Sequence, residues 1–192
     1  MTAPVTLHGP RVTLRPWRLP DDLAPVFAIN GDAEAMRWFP NVHDRAESDA
    51  WGRRIAANFG DRGHGFWVVD LPGEGVAGVV GIQPVAFPAG FSPPGRPATE
   101  IGWRIATRLR RRGLAEEAAR IALAHGFGPA GLDRIVAFTP PGNEPSWRLM
   151  EKLGMRRQEV FDHPRLPEGH ALRPHLLYVL DRADWIADRL GG

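Results

Sequence analysis

The stretch Arg110-Arg-Arg-Gly-Leu-Ala115 holds the residues whose types and spacing best fit a chemical task. It lies between a segment that reads as a strand, Ala98 to Ile105, and the clearest helical pattern of the chain, Gly113 to Phe127. At a helix start the first backbone N–H groups have no acceptor within the helix and carry the positive end of its dipole, so such a turn cradles phosphate. Gly113 removes the Cβ that would hold phosphate oxygens away from the backbone, and Ala115 keeps the neighbouring position small. The three arginines would add charge-assisted contacts to outer phosphates. Taken alone, the same residues also suit a solvated arginine turn before an ordinary helix.

Other constellations fit their chemistry less well. Gly126-Phe-Gly-Pro-Ala-Gly131 matches G-x-G-x-x-G in letters only, because it follows a helix and precedes a strand. A dinucleotide fingerprint needs the reverse order, so this segment reads as a loop after a helix. The serines are Ser48, Ser92 and Ser146, none inside G-x-S-x-G. There are no cysteines, which excludes disulfides, thiolate zinc sites, iron–sulfur clusters and thiol nucleophiles. The seven histidines form no H-x-x-x-H or H-E-x-x-H pair; His163, His170 and His175 cluster, but Pro164, Pro167 and Pro174 around them read as a loop. No metal is expected.

The elements that must position the arginine turn follow from periodicity and punctuation. Val12 to Trp17 reads as an opening strand. Helices are expected from Pro20-Asp21-Asp22, with acidic groups in the first turn, from about Asp32 to Trp38, and from an Asp44 cap to about Phe59. Phe66 to Leu71 and Val76 to Val85 flank the hairpin signal Pro72-Gly-Glu-Gly75, and Phe87 to Pro97 reads as a loop. Beyond the helix at Gly113, Arg134 to Thr139 is a strand and Asn143 to Leu153 a helix ended by Gly154. Met155 to Phe161 and His175 to Leu180 are strands, and Asp181 to Leu190 is a terminal helix. This order predicts a mixed α/β sheet in one domain spanning residues 1–192.

With these elements in place the chain resembles the GCN5-related N-acetyltransferase superfamily, in the branch of the ribosomal-protein N-terminal acetyltransferases. Arg110, Gly113 and Ala115 occupy the fixed positions of that family's Q/R-x-x-G-x-G/A motif. Glu100-Ile-Gly-Trp-Arg-Ile105 matches E-I-G-Y/W-x-L/I, Asn143-Glu-Pro-Ser146 matches N-x-x-S, and Lys152-Leu-Gly-Met155 matches K-x-G-F/M. Arg11-Val-Thr-Leu-Arg-Pro16, Leu177-Tyr-Val-Leu180 and Asp184-Trp185 also fit. The resemblance implies a central, mostly antiparallel sheet of six or seven strands, splayed in the middle and flanked by helices. It also implies acetyl-CoA as cosubstrate, held by Trp103, Ile105, Arg110, Arg111, Arg112, Gly113, Leu114, Ala115, Asn143 and Ser146, and an amine acceptor.

In the wider superfamily a tyrosine commonly protonates the leaving thiolate, four residues after the small residue of N-x-x-A/S. That position is Met150 here, and the lone tyrosine, Tyr178, lies in the last strand. The resemblance to the N-x-x-S branch points to Ser146 as proton donor, although a serine in a first helical turn also bonds backbone. Glu100 is the candidate base, with a surface carboxylate as the other reading. Trp38, Phe39 and the segment His163 to His175 would wall the acceptor site, with Trp38 and Phe39 read as core in preference.

Composition sets the remaining expectations. Hydrophobic residues make up 43% and charged residues 24%, the balance of a globular chain. Lys152 is the only lysine, so a net charge of +2 built on arginine persists to high pH and gives a pI of 9.9. The concentration of Arg104, Arg108, Arg110, Arg111 and Arg112 invites a nucleic-acid reading, but Trp103 alone stands among them for stacking. No membrane span or basic–apolar leader is visible, so a cytoplasmic protein is expected, monomeric or homodimeric. A coenzyme-A-binding protein without catalysis is the alternative function.

Overall fold

The computed structural model describes residues 4–190. In chain order these form β1 (Leu7–His8), β2 (Thr13–Arg15), α1 (Leu23–Asn30), α2 (Ala33–Met36), α3 (Arg45–Arg62), β3 (Phe66–Leu71), β4 (Gly75–Pro84) and β5 (Thr99–Ile105). They continue with α4 (Leu114–Phe127), β6 (Arg134–Thr139), α5 (Glu144–Lys152), β7 (Arg156–Asp162), β8 (Pro174–Asp181) and α6 (Arg182–Leu190). The strands are hydrogen-bonded in the order β1-β2-β3-β4-β5-β6-β8-β7, mostly antiparallel. Eight strands replace the six or seven expected. The addition is β1, a two-residue strand folded back on β2 through a turn in which the Gly9 N–H donates to the Val12 carbonyl at 2.9 Å. Two residues are too few for a period-2 pattern to register. Among the described residues no helix is long and apolar enough to cross a membrane.

By contact density the chain divides into two compact units, Met1–Gln83 with Gly102–Ala122, and Pro84–Ile101 with Leu123–Gly192. In the first, β2, β3 and β4 pair antiparallel around Leu14, Trp67, Val68 and Val79, all buried. Burying such side chains contributes roughly 1.5–3 kcal/mol each. Arg15 lies buried beside them and is bidentate to Asp22, at 2.7 Å from each oxygen, with Asp70 closing its other side. The Asp22 hydrogen bond, with help from Asp70, raises the Arg15 pKa despite burial. This corrects one expectation. The first turn of α1 holds no acidic residue, because the helix begins only at Leu23; Asp21 and Asp22 precede it, and the Asp22 carboxylate pairs with Arg15 instead. Asp44 does cap α3, in a reciprocal box with Glu47, and Gly63 ends that helix at φ 72°.

The second unit is built on β6, which pairs antiparallel with β8 from Arg134↔Asp181 to Thr139↔Leu176; β7 adds on the far side of β8. The parallel ladder between β5 and β6 is one residue pair long, Glu100↔Val136. One face of these strands carries Val136, Leu177 and Val179 under Phe87, Phe91, Phe138 and Phe161. His163 and His175 belong to this aromatic layer, their ring centroids 5.0 Å apart and that of His163 4.6 Å from Phe87. Burial, and then the neighbouring His175, lowers the His163 pKa to about 4, and burial lowers that of His175. The Nδ1 atoms of His163 and His170 accept backbone N–H groups of Arg165 and Leu172. Past α4, Gly128 to Gly131 form the turn expected there, with the Leu132 N–H on the Gly126 carbonyl at 2.9 Å.

Candidate functional site

Within the first unit, β5 leads through a short 3₁₀ turn, Thr107–Leu109, into the arginine segment and the start of α4. The turn is pinned from three sides. The Ala106 N–H donates to the Ala77 carbonyl at 2.9 Å, Leu109 is buried, and the Thr107 hydroxyl donates to Asp32 at 2.6 Å. The Thr107 bond, aided by backbone N–H groups of α2 and by Arg110, holds the Asp32 carboxyl below its ordinary pKa. After Arg110, in extended backbone, the chain takes a left-handed step at Arg111, φ 61°, and another at Gly113, φ 76°. Arg111 is the one non-glycine residue with positive φ among those described. A non-glycine residue held there costs about 1–2 kcal/mol, and such strain clusters at ligand sites.

The Glu117 N–H donates to the carbonyl of Gly113, just ahead of α4, at 3.1 Å. The amides of Leu114 and Ala115 precede it, and helix geometry leaves them without an intrahelical acceptor. Leu114 itself is buried, which anchors the turn. Behind it Arg11 forms a clamp that sequence reading missed. Its Nε donates to Glu117 at 2.6 Å and its Nη1 to the Arg112 carbonyl at 2.8 Å, while its backbone N–H also reaches Glu117. Burial works against the Glu117 charge, but these bonds and the Val12 N–H hold its pKa below the ordinary value. The partners lie more than a hundred residues apart, and no local pattern marks them.

The five arginines do not form one cationic patch. Arg108 and Arg112 pair with Glu74, Arg112 at 3.5 Å. Arg110 pairs with Glu34 at 3.4 Å and donates to the Glu34 carbonyl at 3.2 Å. Arg104 is withdrawn into the unit, beneath Phe39 and Trp51. Of the three arginines expected on phosphates, Arg111 alone has an exposed guanidinium with no partner among the described residues. Trp103 is half-buried and Ile105 buried. Phe39, read from the sequence as core, is 37% exposed, and Trp38 is half-buried with Arg37 over its ring at 4.9 Å.

The other candidate residues lie in the second unit. Asn143 precedes α5 and its amide donates to the Thr139 hydroxyl at 2.9 Å, which fixes the side chain without capping the helix. Ser146 sits in the first turn of α5, half-buried. Its hydroxyl has no hydrogen bond to another described residue, so it is not spent on backbone. Met150, in the position where the family carries tyrosine, is buried. Tyr178 is buried too and donates to Glu151 at 3.0 Å; burial and that carboxylate raise its pKa. A tyrosine so placed has a structural task. Glu100 is half-buried on β5 at the one position paired with β6. Among the described residues no group of three His, Asp or Glu is arranged to hold a metal ion.

Comparison with known proteins supplies a second line of argument. The acetyltransferase (GNAT) domain family matches residues 11–156. An uncharacterised N-acetyltransferase of Bacillus subtilis, YnaD, is 30% identical over 176 residues, covering 91% of this chain and 96% of its own. Among solved structures, a GNAT-family acetyltransferase from Bacillus anthracis superposes with a TM-score of 0.75 at 25% identity, over 93% of this chain and 99% of that one. The RimJ protein of Mycobacterium smegmatis, solved with CoA-disulfide, has a TM-score of 0.72 at 23% identity. That match covers 97% of this chain and 95% of the other.

Proposed function

Because the chain belongs to the acetyltransferase (GNAT) domain family, we propose that it transfers the acetyl group of acetyl-CoA to a primary amine, as a single cytoplasmic domain spanning residues 1–192. The observation that carries this reading is the strained turn at the head of α4. Left-handed backbone at Arg111 and Gly113 leads into the amides of Leu114 and Ala115, which have no acceptor within the helix. Consecutive amides of this kind form an anion-binding concavity, and the pyrophosphate of acetyl-CoA is its occupant. Arg111 adds a cation over the outer phosphates. The pantetheine arm runs along β5 near Trp103 and Ile105 and pairs with strand backbone, as an added strand would. Asn143, held by Thr139, steadies the arm.

The chemistry is direct attack. The neutral amine adds to the thioester carbonyl carbon, the carbon–sulfur bond breaks, and coenzyme A leaves as a thiolate that takes a proton. Glu100 accepts the proton of the amine, through water if need be, and Ser146 protonates the sulfur. The ribosomal-protein branch remains the finer proposal, with the RimJ fold match and the N-x-x-S segment behind it. Acetyl-CoA titrated calorimetrically should bind in the micromolar range, and its affinity should fall several-fold more from low to high salt than that of a pantetheine fragment lacking the pyrophosphate. Equal salt dependence would remove the arginine turn from the cofactor site.

A further inference from the structure

Arg104 is a half-buried cation with an enclosed Nε, and no carboxylate among the described residues pairs with it. It leaves β5 beneath the rings of Phe39 and Trp51, with its Cζ 4.1 Å and 5.2 Å from their centroids. Its one protein acceptor is the Asn30 side-chain oxygen, which takes Nη1. The Asn30 side-chain amide donates to the Ser48 hydroxyl at 3.0 Å, and the Asn30 backbone carbonyl accepts the His43 N–H at 3.0 Å. Burial lowers the Arg104 pKa to about 10, so the group is still charged at neutral pH.

With Nη1 engaged, the Nε–Nη2 edge is left over. Among the described residues Nε is buried with no hydrogen-bond partner, and so is Nδ1 of His43, whose backbone bonds the same Asn30. Both nitrogens belong to residues that bond Asn30, one through its side chain and one through its backbone. A partly desolvated guanidinium is stabilised by an anion that meets it. The free edge presents two parallel N–H donors, the fork that takes a carboxylate side-on. The walls are aromatic rings, and Phe39 opens to solvent.

We infer that Arg104 is a specificity-determining residue that receives the carboxylate of a carboxylate-bearing amine acceptor through its Nε–Nη2 edge. The inference rests on the acetyl-transfer reading for the word acceptor, but the anion site stands on the geometry around Arg104. The carboxylate lies in the plane of the guanidinium and accepts two hydrogen bonds, while Phe39 and Trp51 cover the faces of that plane. His43, kept neutral by burial and by the Arg104 charge, adds no competing cation.

The test uses amines matched in pairs, with and without a carboxylate: phenylalanine and phenethylamine, 4-aminobutyrate and butylamine, 6-aminohexanoate and hexylamine. Each is titrated calorimetrically into the protein, alone and with coenzyme A. In at least one pair the carboxylate member should bind about tenfold or more tightly than its partner, the loss expected when a charged hydrogen-bonding partner is removed. Arg104→Lys keeps the charge and the fold but lacks the paired edge, and should erase that advantage; Arg104→Gln should do the same. Equal binding within every pair, no binding by any amine, or an advantage that survives Arg104→Lys would overturn the inference and leave water as the occupant. Failure of acetyl transfer would show separately, as absence of acetyl-CoA binding, while the preference within pairs is still read from the protein alone.

Discussion

Gly113→Asp should reduce acetyl-CoA affinity by at least about 100-fold while leaving the protein folded. The substitution sets a carboxylate where the pyrophosphate is proposed to sit, among the amides of Leu114 and Ala115, so charge repulsion and occupied donors act together. Its steric demand is small. An added Cβ meets only the Arg11 Nη2 atom, at 3.3 Å, the far end of a side chain that has room to shift. The φ of 76° is uncomfortable for most side chains, but aspartate is among those that tolerate it. Thermal unfolding therefore serves as the control, and a melting temperature within a few degrees of wild type makes the binding loss interpretable. Wild-type affinity in this variant would move the cofactor away from the turn.

Ser146→Ala should lower kcat by about 100-fold or more with little change in the acetyl-CoA dissociation constant, because removing a positioned proton donor typically costs about 10²–10⁴-fold. The structure sharpens this expectation by taking the alternatives away. Met150 has no proton to give and is buried, and the Tyr178 hydroxyl is committed to Glu151. The Ser146 hydroxyl has no competing hydrogen bond among the described residues. A role in binding alone would produce the opposite pattern, with weakened cofactor affinity and preserved kcat. Glu100→Gln separates the base from the acid, lowering kcat/KM most at acid pH, where deprotonating the amine is hardest. If both variants turn over within a few-fold of wild type, the enzyme works mainly by holding amine and thioester together.

Apart from β1, the strands and helices were legible because each carries its own signal. Asp44 reads as a helix cap, Pro72 to Gly75 as a hairpin and Gly113 to Phe127 as a helix, and the structure has α3, the β3–β4 turn and α4 at these places. The arginine turn was legible as a motif but not as a geometry. Nothing in its letters shows that Arg111, rather than a glycine, takes the left-handed step. What escaped was non-local. The Arg11–Glu117 clamp, the pairing of Arg108 and Arg112 with Glu74 and of Arg110 with Glu34, and the committing of Asp22 to Arg15 join residues that only the fold brings near. For that reason a run of arginines read as one cationic patch resolves into paired surface groups, one open guanidinium at Arg111 and one half-buried cation at Arg104. Phe39 was misread for the same cause, since its ring covers Arg104 instead of entering the core.

Turnover itself is the most direct measurement. The protein is incubated with acetyl-CoA and the matched amine panel, coenzyme A release is followed as free thiol, and each amine is weighed by mass spectrometry for one added acetyl group. Thiol release and acetylated amine should rise in equal amounts for at least one amine, and both should vanish in Gly113→Asp. Tight acetyl-CoA binding with no thiol released and no amine acetylated would contradict an acetyltransferase and leave a coenzyme-A-binding protein in its place.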